Sequence, residues 1–167
     1  MSEKKYVLTA EEIKYKLQRI ALEIAEAISG DDAPVVLLGV LGSGTVIAQK
    51  IASALKNYIA NPVDVVTITL DKSHPADVSI DCDIDFNDKN LVIIDDVYNR
   101  GKTLLYAMKP LLNYHPRRIQ TMVLVERMYK QFPVKPDYVG LSLATTSQDF
   151  IQVETIGDEV TGAYVRV

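Results

Sequence analysis

Residues 91–104, LVIIDDVYNRGKTL, constrain this chain more than any other stretch. The apolar run from Leu91 to Ile94 predicts a strand buried on both faces. Asp95 and Asp96 stand at its carboxyl end. A short loop with Asn99, Arg100 and Gly101 then runs into Lys102 and Thr103, which open the next helix. This layout sets two acids, suited to ribose hydroxyls or a metal ion, beside helix-opening amides that attract phosphate. A sugar phosphate engages both halves together.

The rest of the chain alternates strand and helix signals. Thr9 and Glu12 have capping-box spacing, and Ile13, Leu17, Ile20, Ala21, Ile24 and Ile28 follow at helical intervals up to Gly30. Residues 34–40, PVVLLGV, predict a second strand covered on both sides. Leu41, Gly42, Ser43 and Gly44 make a tight loop before a helix over 45–58, and 63–70 reads as a strand. Residues 71–90 are rich in aspartate and contain Pro75, so a mobile excursion is expected there. Within it Ile80, Cys82, Ile84 and Phe86 alternate with acids, the pattern of a half-exposed extended segment. A helix over 103–114, a strand over 119–125, and short strands near 137–143, 149–155 and 161–167 complete the reading. The class implied is α/β: one domain over 1–167, with a mostly parallel sheet and helices on both faces. Such sheets bind ligands at the carboxyl ends of their strands, so loops 41–44 and 97–103 should share one rim.

Composition removes several function classes. A net charge of −4 over 167 residues gives no broad attraction to nucleic acid or to an anionic membrane. No apolar stretch approaches the roughly 20 residues that span a bilayer. The start, MSEKKYVLTAEEI, lacks the apolar core of a secretory signal. Cys82 is the only cysteine, which excludes an internal disulfide and a thiolate metal cage and fits a reducing, cytoplasmic setting.

Other motifs fail on position. Gly101-Lys102-Thr103 could end a nucleotide-triphosphate loop, but Asp96 stands where that loop needs its first glycine. Asp81, Asp83 and Asp85 imitate the start of a calcium loop, yet Phe86 and Val92 occupy its glycine and closing-glutamate positions. His74 and His115 have no partner at ligand spacing.

What remains resembles the signature of type I phosphoribosyltransferases: an apolar strand, two acids, and a Gly-x-Thr loop opening a helix. The resemblance covers nearly the whole chain and is greatest to the bacterial pyrimidine-operon attenuator and uracil phosphoribosyltransferase family. It is carried also by QRIALEIAEAISG (18–30), LLGVLGSGTVIA (37–48), VDVVTITL (63–70) and VKPDYVG (134–140). It implies that family's fold, with a small hood segment beside the main sheet. It further implies Mg²⁺-dependent transfer of a phosphoribosyl group from phosphoribosyl pyrophosphate to a nucleobase, with a nucleoside monophosphate as product. By matching position, Asp95 and Asp96 would hold the ribose hydroxyls, directly or through Mg²⁺ and water. The amides of Asn99, Arg100, Gly101, Lys102 and Thr103, with the Thr103 hydroxyl, would hold the 5′-phosphate. Leu41, Gly42, Ser43 and Gly44 match the pyrophosphate loop, and Phe150 and Ile151 fall where relatives contact the base.

The same resemblance bears on the base. Purine enzymes carry an aspartate at the position of Asn99 and a lysine at that of Glu126, whereas the pyrimidine family has an acid at the latter. Uracil is therefore the expected base, with hypoxanthine or guanine as the alternative. Three departures keep open a further alternative, a nucleotide-sensing regulator with weak or no catalysis. Arg100 replaces a phosphate-binding threonine, Ser43 replaces an arginine of the pyrophosphate loop, and the 71–90 excursion is short, with Lys72 its nearest basic stand-in. At the first-helix positions that relatives use for RNA, this chain has Gln18, Arg19, Leu22 and Ala27, so RNA is not an expected partner. Family resemblance implies a homo-oligomer, a dimer or larger.

Overall fold

The computed structural model describes residues 3–75 and 77–166. Met1 and Ser2 of the polar start, Ala76 of the excursion, and Val167 of the last expected strand lie outside the described residues.

The central sheet is built from the apolar runs. It comprises β2 (Val35–Val40), β3 (Val63–Thr69), β4 (Ser79–Ile80), β5 (Asn90–Tyr98), β6 (Arg118–Arg127) and β7 (Tyr138–Leu143), in the order β4-β3-β2-β5-β6-β7. Every pairing is parallel except that of β4 with β3. Side chains along β2 and β5 point alternately to two cores. Val35, Leu37, Val92 and Ile94 join one, and Val36, Leu38, Leu91 and Ile93 join the other. Both faces are covered, which is why these strands lack the polar alternation of a half-exposed sheet.

The first face is covered by α1 (Ala10–Ala27) and α2 (Ser43–Leu55), which bury Ile20, Ile24, Ile47 and Ile51 completely. Each such side chain contributes about 1.5–3 kcal/mol of hydrophobic stabilisation. Helix α1 begins with the expected reciprocal cap: the Thr9 hydroxyl accepts from the Glu12 amide while the Glu12 carboxylate accepts from the Thr9 amide. The second face is covered by α3 (Lys102–Ala107), a 3₁₀ turn (Lys109–Asn113) and the packed side of residues 78–86. The expected helix 103–114 is thus broken after its first turns. Pro110 removes an amide donor and crowds the preceding turn, so the chain tightens into the 3₁₀ form.

The excursion 71–90 is anchored in part. β4 pairs with the edge of β3, Phe86 is buried against Tyr114, and Asp81, Asp83 and Asp85 face outward as their alternation predicts. The last two expected strands, β8 (Phe150–Ile156) and β9 (Glu159–Arg166), form an antiparallel hairpin apart from the main sheet. They are joined by β1 (Lys4–Thr9), a strand absent from the sequence reading, to give the sheet β1-β9-β8. This small sheet is the hood. Its Leu8, Ile151, Val153, Val160 and Ala163 share the core of α1 and α2.

Candidate functional site

Strand order reverses between β2 and β5. From β2 the chain proceeds to β3 on one side, whereas β5 is followed by β6 and β7 on the other. A crevice opens outside the carboxyl ends of strands at such a switch point. The loop after β2 holds Leu41 to Gly44, and the end of β5 holds Asp95 and Asp96. Gly44 brings the two together. A Cβ on it would lie 2.8 Å from the Ile94 carbonyl oxygen and 3.5 Å from Asp95 Cα, so only glycine lets α2 start this close to β5. Gly42, with φ of 101°, caps α2 without a side chain, and its carbonyl accepts from the Thr45 and Val46 amides.

The acids are held in fixed orientations. Asp95 Oδ1 accepts from the Asp96 amide at 2.8 Å, and Asp96 Oδ1 accepts from the Val97 amide at 2.7 Å. Lys72 Nζ, reaching from the excursion, donates to Asp95 Oδ1 at 2.9 Å and to Asp96 Oδ1 at 3.2 Å. Asp95 is 2% exposed, Asp96 20% and Lys72 47%. Burial, then the neighbouring Asp96 charge, pushes the Asp95 carboxyl up to about 7, against the pull of Lys72. Lys72 is raised above its ordinary value: the charges of Asp95 and Asp96 outweigh a burial that opposes them.

Beyond the acids lies a cleft of ≈ 540 Å³ lined by Asp95, Tyr98 and the whole turn Asn99–Thr103, with Lys72 and Ser73 on one side. Gly101 has φ of 93°, and a Cβ there would sit 2.9 Å from the Tyr98 hydroxyl. That hydroxyl donates to the Val134 carbonyl at 2.7 Å, while the Arg100 carbonyl accepts from the Gln131 and Phe132 amides. The turn is thus held from below by β5 and from outside by 131–134. The Arg100 side chain is exposed. No side chain caps α3.

The opposite wall carries the expected Phe150 together with Arg127, Ser147, Gln148 and Asp149, which the sequence did not reveal. Arg127 Nε donates to Thr145 Oγ1 at 2.8 Å, Nη2 to the Thr146 carbonyl at 2.7 Å, and Nη1 to Asn99 Oδ1 at 3.4 Å. Phe150 is 57% exposed and faces the cleft, whereas Ile151, 4% exposed, packs in the hood core and does not reach it. Glu126 lies beside Tyr98 across the β5–β6 pairing and accepts from Ser142 Oγ at 2.7 Å. Neither Glu126, nor Asp96, nor loop 41–44 lines the cleft itself. On α1, Arg19 is committed to the Val139 carbonyl and to Glu23.

The donor set also bears on a metal ion. Among the described residues no three His, Cys, Asp or Glu side chains converge. Two carboxylate oxygens already share one cation at 2.9 and 3.2 Å, however. Mg²⁺ keeps most of its water and takes one or two carboxylates plus substrate oxygens, so this pair fits it.

Residues 5–158 match the model of the phosphoribosyl transferase domain family. The chain is 33% identical over 156 residues to Bifunctional protein PyrR of Picosynechococcus sp., covering 88% of each chain. It is 34% identical over 174 residues to Bifunctional protein PyrR of Chloroflexus aurantiacus, covering 96% of this chain and 95% of the relative. Among solved structures, the hypoxanthine phosphoribosyltransferase of Trypanosoma cruzi superposes with a TM-score of 0.79 at 20% identity, covering 95% of both chains. A hypoxanthine-guanine phosphoribosyltransferase from Bacillus anthracis gives 0.75 at 19% identity, covering 98% of this chain and 99% of that one.

Proposed function

The chain belongs to the type I phosphoribosyltransferase family, and from that premise we propose that it transfers a phosphoribosyl group from phosphoribosyl pyrophosphate to uracil. One observation carries the reading: a single cleft joins Asp95 and the Asn99–Thr103 turn on one wall to Phe150 on the other. The spacing suits a sugar phosphate lying across the rim with its base beside the aromatic ring.

In this reading the turn amides, with the Thr103 hydroxyl, hold the 5′-phosphate, and Arg100 and Lys102 add positive charge at its edge. Asp95 and Asp96 hold the ribose hydroxyls. The glycines of loop 41–44 let backbone amides approach the leaving pyrophosphate. Bound Mg²⁺ would sit against Asp95 and Asp96 and offset the charge gathering on pyrophosphate. The reaction displaces pyrophosphate from the anomeric carbon by a base nitrogen, through a transition state with oxocarbenium character. The protein therefore contributes alignment, charge complementarity and exclusion of water rather than a covalent intermediate.

The choice of uracil over a purine is supported by the relatives from Picosynechococcus sp., Limosilactobacillus fermentum, Bacillus pumilus and Chloroflexus aurantiacus, each named Bifunctional protein PyrR. Asn99 and Glu126 support it chemically. By the resemblance, purine enzymes place an aspartate and a lysine at these two positions to meet the purine N7 and carbonyl, and this chain has neither. Likeness to the hypoxanthine enzymes, at 20% identity, bears on fold alone.

The hood and main sheet share one core, which supports a single domain over 1–167. Membership of this family supports a homo-oligomer. The single, half-buried Cys82 supports a cytoplasmic setting, and no described helix is long and apolar enough to cross a membrane. A chromatographic assay of phosphoribosyl pyrophosphate with uracil, hypoxanthine, guanine and adenine tests the function. Uridine monophosphate should be the dominant product. Faster formation of a purine nucleotide would reverse the assignment, and absence of every product would favour a sensor without catalysis.

A further inference from the structure

Among the described residues Lys72 is the only cation seated on both acids, and it sits where a metal ion or a ribose would have to go. We propose that Lys72 is a tethered occupant of the position between Asp95 and Asp96, exchanged for the divalent cation when that ion binds. The exchange frees its ammonium for the anionic ligand.

Asp95, at 2% exposure, cannot hold a negative charge unpaired at low cost. Both Oδ1 atoms already accept a backbone amide, so their remaining capacity is directed at Lys72 Nζ. A divalent ion arriving at the same oxygens places like charges within a few ångströms, which drives the ammonium out. Lys72 has somewhere to go. It stands 47% exposed on the excursion, beside Ser73 on the cleft wall, and it also lines the cleft that holds the Asn99–Thr103 turn. A phosphate-bearing ligand there would take up the released charge. Metal arrival and the gain of a phosphate-facing cation thus become one event. Without metal the acids are screened from adventitious cations.

The inference rests on the proposed acid-pair role, and the test separates the two. Mn²⁺ alone is titrated at pH 8 into the wild type, Lys72→Met and Asp95→Asn, with free ion read by electron paramagnetic resonance. Lys72→Met should bind Mn²⁺ about tenfold tighter than the wild type, since its competitor is gone, and Asp95→Asn should lose the site. The wild type also permits a test that needs no variant. Acylation of lysines followed by mass spectrometry should show Lys72 more reactive with Mn²⁺ present and the other lysines unchanged. Equal Mn²⁺ affinity in Lys72→Met and the wild type, or Lys72 labelling indifferent to the ion, overturns the exchange even if uridine monophosphate is formed. A wild type that binds neither Mn²⁺ nor phosphoribosyl pyrophosphate overturns the acid-pair role itself.

Discussion

Arg127 Nε donates to the Thr145 hydroxyl at 2.8 Å, which ties the carboxyl end of β6 to the loop leading into β8. The same guanidinium reaches the Thr146 carbonyl and the Asn99 side chain, so one residue joins the Asn99–Thr103 turn to the wall that carries Phe150. Its planar fork holds several directions at once, which lysine does not. Arg127→Leu should therefore loosen the Phe150 wall, where the base is proposed to lie, while leaving the acids in place. A charged hydrogen bond contributes about 1.5–3 kcal/mol, so KM for uracil should rise roughly tenfold or more. KM for phosphoribosyl pyrophosphate should change much less. Equal rises in both constants would show that Arg127 supports the site as a whole.

The switch-point crevice depends on glycine at one position more than at another. A methyl on Gly44 would meet the Ile94 carbonyl at 2.8 Å, whereas one on Gly42 meets nothing within 4 Å and is opposed only by its φ of 101°. Gly44→Ala should lower stability by about 1–3 kcal/mol through overpacking, and Gly42→Ala by about 1–2 kcal/mol through backbone strain. Because Gly44 abuts Asp95, only Gly44→Ala should also weaken metal binding. Chemical denaturation and Mn²⁺ titration of both variants check this pair of outcomes.

The Asp95 carboxyl is pushed up to about 7 by burial and by Asp96. The folded protein therefore keeps a proton that the unfolded chain releases from about pH 4 upward. Stability from this group is full below the unfolded value and is lost as pH rises through about 7. Asp95→Asn, which stays neutral, should gain in Tm relative to the wild type between pH 4 and pH 8 when a chelator is present. A Tm difference that stays constant over this range would count against burial as the dominant cause. The gain in stability should come with loss of activity, as expected where a binding site stores unfavourable charge.

Much of this arrangement was legible beforehand, and the illegible parts share a cause. The runs 34–40 and 91–94 predict strands because a strand covered on both faces has no polar alternation, and Val35–Val40 and residues 91–94 are buried throughout. Thr9 and Glu12 mark a helix start by local chemistry alone. Strand β1 escaped notice because it is short, mostly exposed, and defined by pairing with β9 at the far end of the chain, as in Lys4 with Arg166. Arg127, Ser147, Gln148 and Asp149 lie on a β6 end and a polar loop without periodicity, so only tertiary contact brings them to the cleft. Ile151 was expected beside Phe150 at the base. A strand alternates faces, and with Phe150 toward the cleft Ile151 must turn into the hood core.

Base preference should follow two positions. Asn99→Asp combined with Glu126→Lys introduces the charges that purine enzymes carry there, and it should shift kcat/KM away from uracil and toward hypoxanthine. Ser142, which now donates to Glu126, loses its acceptor in the variant, so a modest fall in Tm should accompany the change. Unaltered discrimination between the two bases would place the determinant on the Phe150 wall instead.

The most direct test of the account is a crystal structure with uridine monophosphate bound. The phosphate should lie on the amides of residues 99–103, the ribose hydroxyls against Asp95 and Asp96, and the uracil ring beside Phe150. A nucleotide whose phosphate sits elsewhere, with Asn99–Thr103 left to solvent and the two acids still closed on Lys72, would contradict it.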